Sequence, residues 1–144
     1  MLSKSLKDTE KIAQLFLNKI LKSHTELPGA LVIGLSGDLG AGKTTFTKAI
    51  AQYLKVKNKI TSPTFVIIKK YLLKNPKYKF LFHIDAYRLK NEQELLHLGW
   101  EEIISNKKHL VFIEWPENVA GVIPPRSRFI HISHTKDGHR NFKF

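Results

Sequence analysis

The stretch Ala30-Leu-Val-Ile-Gly-Leu-Ser-Gly-Asp-Leu-Gly-Ala-Gly-Lys-Thr-Thr45 decides the fold class. Its first six residues are apolar without alternation, as in a strand buried on both faces of a sheet. Gly37-Asp-Leu-Gly40-Ala-Gly42-Lys43-Thr44 then satisfies G-x-x-x-x-G-K-[ST] at every position. Glycines at these places let successive backbone N–H groups turn inward as an anion nest. From Lys43 to Leu54 the pattern becomes helical, with Phe46, Ala49, Ile50 and Tyr53 on one side. The positive end of that helix dipole faces the loop. Lys43 suits the β- and γ-phosphate oxygens, and the Thr44 hydroxyl suits Mg²⁺. The candidate phosphate-binding residues are Gly37, Asp38, Leu39, Gly40, Ala41, Gly42, Lys43, Thr44 and Thr45.

Outward from this unit, residues 5–23 read as an amphipathic helix. Ile12, Leu15, Phe16, Lys19 and Ile20 define its inner face, and Ser5 or Asp8 caps its start. Leu27-Pro28-Gly29 breaks it. Downstream, Lys55–Lys59 is a basic connector. Thr61-Ser-Pro-Thr64 is turn-like and leads into a strand over 65–68, and Asn75-Pro76 marks a further turn. Strands are expected over 80–84, 110–113 and 129–133, with helical segments over 92–98 and 100–104. Strands alternate with helices, and no repeat, low-complexity tract or linker interrupts them. The fold expected is α/β: a single three-layer P-loop NTPase domain over 1–144, with a mostly parallel central sheet.

The chain has 144 residues, 24 Lys plus Arg against 12 Asp plus Glu, a formal charge of +12 and no cysteine. One domain is the natural size. Without cysteine there is no disulfide partner, iron–sulfur cluster, thiol catalysis or thiolate zinc site. The longest uncharged apolar run, Gly29–Leu35, falls far short of the roughly 20 residues a spanning helix needs. The segment MLSKSLKDTEKIAQLF carries Asp8 and Glu10 and lacks a secretion-signal pattern, so a soluble cytoplasmic protein with no membrane contact is expected. Lysine outnumbers arginine 20 to 4 and is scattered, the pattern of a solvated surface. Specific phosphate recognition prefers arginine's planar fork. A charge of this sign nevertheless favours approach to RNA or acidic partners.

A phosphate loop that works with Mg²⁺ needs an acid at the tip of a buried strand near Thr44. Two acids qualify: Glu114, which ends Leu-Val-Phe-Ile, and Asp85, which ends Phe-Leu-Phe-His-Ile. Either would equally serve as a cap to the turn that follows. Guanine is disfavoured because Asn106-Lys107-Lys108 lacks the acid of the Asn-Lys-x-Asp base-reading motif, which leaves adenine.

Five segments carry a resemblance to a family: Gly-Asp-Leu-Gly-Ala-Gly-Lys-Thr-Thr (37–45), Ser-Pro-Thr-Phe (62–65), His-Ile-Asp-Ala-Tyr-Arg-Leu (83–89), Gly-Trp-Glu-Glu (99–102) and Ile-Glu-Trp-Pro-Glu (113–117). In this order and spacing the chain resembles the bacterial TsaE (YjeE) ATPases, from Thr9 to about Ile132. The resemblance implies a small Mg²⁺-dependent ATPase in the threonylcarbamoyladenosine (t6A) modification of tRNA. Its expected partners are TsaB and TsaD, with tRNA met indirectly through that complex. ATP turnover would reset the assembly, and TsaD would carry out the transfer to tRNA. By position, Leu39–Thr44 would wrap the phosphates of ATP, and Thr44 and Glu114 would hold Mg²⁺. Lys43 and Asp85 would act in catalysis, Asp85 on the attacking water. Thr9 would lie near the adenine, although a threonine at a helix start also serves as a cap.

Other residues remain open at this level. Ser62 and Thr64 sit where a hydroxyl would sense a terminal phosphate, with Pro63 limiting loop conformations, but the same residues suit an ordinary turn. Trp115 suits either a nucleotide reporter and partner-docking residue or a core tryptophan. Arg88 has phosphate, a partner or a nearby acid to choose from. His131-x-x-His134 does not place both rings on one strand face, and the seven histidines form no metal set. Two rival functions stay in view. One is a small P-loop kinase of a nucleoside or metabolite, for which four arginines and no long lid are a poor endowment. The other is a nucleotide-switched RNA-binding module, for which the aromatic-plus-basic motifs are missing.

Overall fold

A computed structural model describes residues 1–23, 26–59, 61 and 66–144. The elements in chain order are β1 (Leu2–Ser3), α1 (Leu6–Ser23), β2 (Leu31–Ser36), α2 (Lys43–Tyr53), β3 (Ile68–Leu72), β4 (Phe80–Asp85), α3 (Glu92–His97), α4 (Trp100–Ser105), β5 (His109–Glu114), a kinked 3₁₀ segment (Pro116–Val122), β6 (Arg128–His134) and β7 (Arg140–Lys143). Among the described residues the strands form one seven-stranded sheet in the order β1-β7-β6-β2-β5-β4-β3. The central four, β6, β2, β5 and β4, run parallel; β3 on one edge and β7 with β1 on the other pair antiparallel. This is a mixed α/β fold whose parallel character is confined to the centre of the sheet.

The apolar runs of β2 and β5 are continuous because each strand feeds two cores. Leu31, Ile33 and Leu35 join Leu110 and Phe112 against Phe16 of α1 and Phe46 and Ile50 of α2. On the other face Val32 joins Val111 and Ile113 against Leu95, Trp100 and Ile103 of α3 and α4. Alternating side chains therefore all meet apolar neighbours, the arrangement parallel strands require. Helices thus cover both faces of the sheet.

Two local expectations need correcting. The buried stripe of α1 is Ile12, Ala13, Phe16, Leu17 and Ile20, whereas Leu15 is 56% exposed. A contact stripe of a helix slants along i, i+1, i+4, i+5, i+8, and Leu15 falls off it. The strand expected over 65–68 is β3 at Ile68–Leu72; only Ile68 is common to both, and Phe65 lies outside the described residues. β3 is an edge strand with one buried side chain, Tyr71, flanked by Lys70 and Leu72 in solvent. Charged edges of this kind block further strand pairing and also blur the apolar pattern. Lys70 lays its ammonium 4.0 Å over the Phe80 ring. The Asn75-Pro76 turn is present, with Asn75 Oδ1 accepting from the N–H groups of Lys77 and Tyr78. Among the described residues no helix is long and apolar enough to cross a membrane.

Candidate functional site

The parallel strands β2, β5 and β4 end side by side, with Leu35 opposite Glu114 and Asp85 opposite Glu114 in register. In such sheets ligands bind beyond the carboxyl ends of the strands. The glycine loop joins the end of β2 to the start of α2 there. Its geometry requires glycine at two positions. Gly37 has φ 135°, and a Cβ on it would lie 2.1 Å from the Ile132 carbonyl oxygen. Gly42 has φ 109°, and a Cβ would lie 2.9 Å from Arg140 Nε.

Lys43 opens α2 and folds back over the loop. Its ammonium donates to the carbonyls of Gly37 at 2.6 Å and Asp38 at 2.9 Å, and lies 4.2 Å from the centre of the Trp115 ring. Burial pulls its pKa below the ordinary lysine value of 10.5, against the opposing pull of Glu114, Glu117, Asp85 and Asp38. Thr44, the next residue, donates its hydroxyl to Glu114 Oε1 at 2.7 Å. Glu114 is 3% exposed. The same oxygen lies 2.8 Å from Nε2 of His83, which is wholly buried. Asp85, also buried, accepts from the Tyr87 N–H through Oδ1 at 2.9 Å.

These groups surround a cavity of about 230 Å³. Leu39, Gly40, Gly42, Lys43, Thr44 and Thr45 line it from the loop and α2. Asp85, Glu114 and Trp115 line it from the strand ends, joined by Tyr87. Gly37 and Asp38 reach the site through the carbonyls that hold Lys43. Ala41 is buried, with its carbonyl accepting from Arg140 Nε at 3.0 Å. Thr9 does not line this cavity; it is buried against Ser3, with the two hydroxyl oxygens 2.8 Å apart. Arg88 is exposed and lies outside the lining. Ser62 and Thr64 lie outside the described residues. A wider depression of about 910 Å³ beside Pro28, Lys107 and Arg126 sits at the opposite ends of the strands and contains none of the glycine-loop residues and neither Asp85 nor Glu114.

Trp115 is not a core tryptophan. It has φ 59° and ψ 49°, an uncommon left-handed conformation for a bulky residue, and its ring lies 5.0 Å from that of Tyr87, tilted by 46°. The core tryptophan is Trp100, whose indole N–H donates to the Val122 carbonyl at 2.9 Å. Besides Tyr87 in the cavity wall, three site residues escaped the sequence reading. His83 was discoverable: His-x-Asp within a strand puts His83 and Asp85 on one face. His134 and Arg140 are cross-strand partners on β6 and β7 that reach the loop, His134 Nε2 at 3.2 Å from the Gly40 carbonyl and Arg140 at Ala41. No sequence signal marks Arg140, because only the pairing of β7 brings it to the loop; His134 ends β6, the strand paired with β2.

The fold thus builds a strand–loop–helix turn with a lysine ammonium on its carbonyls, facing a hydroxyl–carboxylate pair. Residues 3–142 match the family described as "Threonylcarbamoyl adenosine biosynthesis protein TsaE". The chain is 34% identical to the tRNA threonylcarbamoyladenosine biosynthesis protein TsaE of Haemophilus influenzae, over 85% of this chain and 73% of that protein. It is 38% identical to the TsaE proteins of Rickettsia prowazekii, over 84% and 76%, and of Bacillus subtilis, over 78% and 68%. The crystal structure of YdiB from Bacillus subtilis superposes with a TM-score of 0.74 at 28% identity, covering 99% of this chain and 80% of that one. The chain belongs to the TsaE family.

Proposed function

We propose that this chain is a P-loop NTPase, a cytoplasmic Mg²⁺-dependent ATPase of tRNA t6A modification that acts with TsaB- and TsaD-type subunits to sustain their turnover. The observation that carries the chemistry is the Thr44 hydroxyl on Glu114, beside a buried lysine at the mouth of a glycine loop. Family membership carries the pathway.

The residues fit both ligands. Lys43 is 5% exposed, and among the described residues no carboxylate lies within ion-pair distance of it. Two carbonyls and a ring face hold the ammonium, and they compensate a buried charge less well than an anion does. A polyphosphate is the complement this arrangement calls for. Thr44 and Glu114 offer two hard oxygens, and among the described residues no cluster of three metal-binding side chains exists. Mg²⁺ suits such a site, since it takes one or two protein oxygens and completes its shell with phosphate and water.

Bound Mg·ATP supplies the phosphoryl group and the charge neutralisation that its transfer to water needs. Lys43 would neutralise the phosphate oxygens, the loop N–H groups would orient them, and Thr44 and Glu114 would hold the cation. The Asp85 carboxylate, in the wall of the cavity, would orient water and accept its proton. Glu114→Asn is therefore expected to weaken Mg²⁺-dependent nucleotide binding, whereas Asp85→Asn should slow hydrolysis with binding kept. Titration of both variants with ATP, with and without Mg²⁺, checks the division, and equal binding losses would contradict it.

A further inference from the structure

We infer that His83 is a positioning residue which holds the Glu114 carboxylate in the orientation that receives the divalent cation; the inference rests on the ATPase reading above. His83 lies in the middle of β4 and is 0% exposed. Its Nε2 is 2.8 Å from Glu114 Oε1, the oxygen that also accepts the Thr44 hydroxyl at 2.7 Å. Its other nitrogen, Nδ1, is buried with no hydrogen-bond partner among the described residues.

The unmet nitrogen is what makes the residue informative. A buried polar atom without a partner is destabilising, and an apolar side chain would fill the same strand position without that penalty. Packing therefore does not account for a histidine here, whereas the bond from Nε2 does. With a hydrogen on Nε2 the ring donates to Glu114 Oε1 and leaves only a lone pair unmet at Nδ1.

The geometry also explains why one donor is not enough. A glutamate side chain turns about three bonds, and the hydroxyl holding it belongs to the helix that follows the glycine loop. His83 belongs to the centre of the sheet and approaches from a different element. Two donors converging on Oε1 block rotation of the carboxylate, while Oε2 accepts from no described group and Glu114 still lines the cavity. Partners of metal ligands that fix orientation in this way matter nearly as much as the ligands.

The test compares affinity for ADP and for a non-hydrolysable ATP analogue in Mg²⁺ and in EDTA, by calorimetry, with thermal midpoints as a fold control. His83→Leu is expected to lose roughly 10- to 100-fold of the Mg²⁺-dependent affinity, with affinity in EDTA unchanged. His83→Gln, long enough to place an amide N–H near Nε2, should recover part of it, and the shorter His83→Asn should not. That second pair keeps the question decidable if the leucine variant does not fold. A Mg²⁺ gain in His83→Leu equal to wild type, or equal losses with and without Mg²⁺, overturns the inference alone. A wild-type protein whose nucleotide affinity gains nothing from Mg²⁺ overturns the ATPase reading and takes this inference with it.

Discussion

Lys43 shows how a candidate functional residue works against the fold that holds it. Burial lowers its pKa, so protonation is less favourable in the folded than in the unfolded chain. Between the lowered folded value and the unfolded value near 10.5 the unfolded state binds more protons, and stability rises with pH across that window. Lys43→Met is expected to abolish nucleotide binding, raise the thermal midpoint at neutral pH and flatten the alkaline rise. A set of melting curves from pH 7 to about 10 checks the sign. Trp115 offers a second prediction. Its ring lies against the Lys43 ammonium and Tyr87, whereas Trp100 is sealed in the core. When Lys43 turns to phosphate the indole loses its cation, so Mg·ATP should change the intrinsic fluorescence. Trp115→Phe should abolish that change, and a Mg·ATP response that persists at wild-type size in this variant would show that it arises elsewhere.

At the scale of elements, the caps and edges separate what was legible from what was not. α1 starts on Ser5, whose hydroxyl oxygen accepts the Asp8 N–H at 3.1 Å, while Asp8 accepts the Lys4 N–H at 3.0 Å. Ser5→Ala should therefore cost roughly 0.5–2 kcal/mol in denaturant unfolding. That cap, the glycine loop, the two central strands and their terminal acids could be read in advance, because each rests on local chemistry or on an unbroken apolar run. β1, β7 and the true extent of β3 could not. They lie at or beside the sheet edges, are two to five residues long, and carry exposed polar or lysine side chains that erase the period of two. Arg140 was illegible for the same reason. Arg140→Ala should loosen the loop at Ala41 and weaken nucleotide binding, with the fold and the Mg²⁺ dependence kept; a wild-type dissociation constant would show that the contact is passive.

At the scale of the whole molecule, sheet order does the assembling. β5 lies between β2 and β4, so Glu114 comes next to the strand that launches the glycine loop on one side and next to Asp85 on the other. Residues separated by about seventy positions thereby share one cavity, as Thr44 and Glu114 do. The excess of positive charge falls outside this account of the site, and it favours acidic partners in general rather than one in particular. The central claim is that the cavity is an ATPase site under partner control. Its most direct test is Mg·ATP hydrolysis by the chain alone and with purified TsaB and TsaD, with Lys43→Ala as the blank. The account predicts turnover that rises with the pair and vanishes in the blank. Turnover unaffected by properly assembled partners, or surviving in Lys43→Ala, would contradict it.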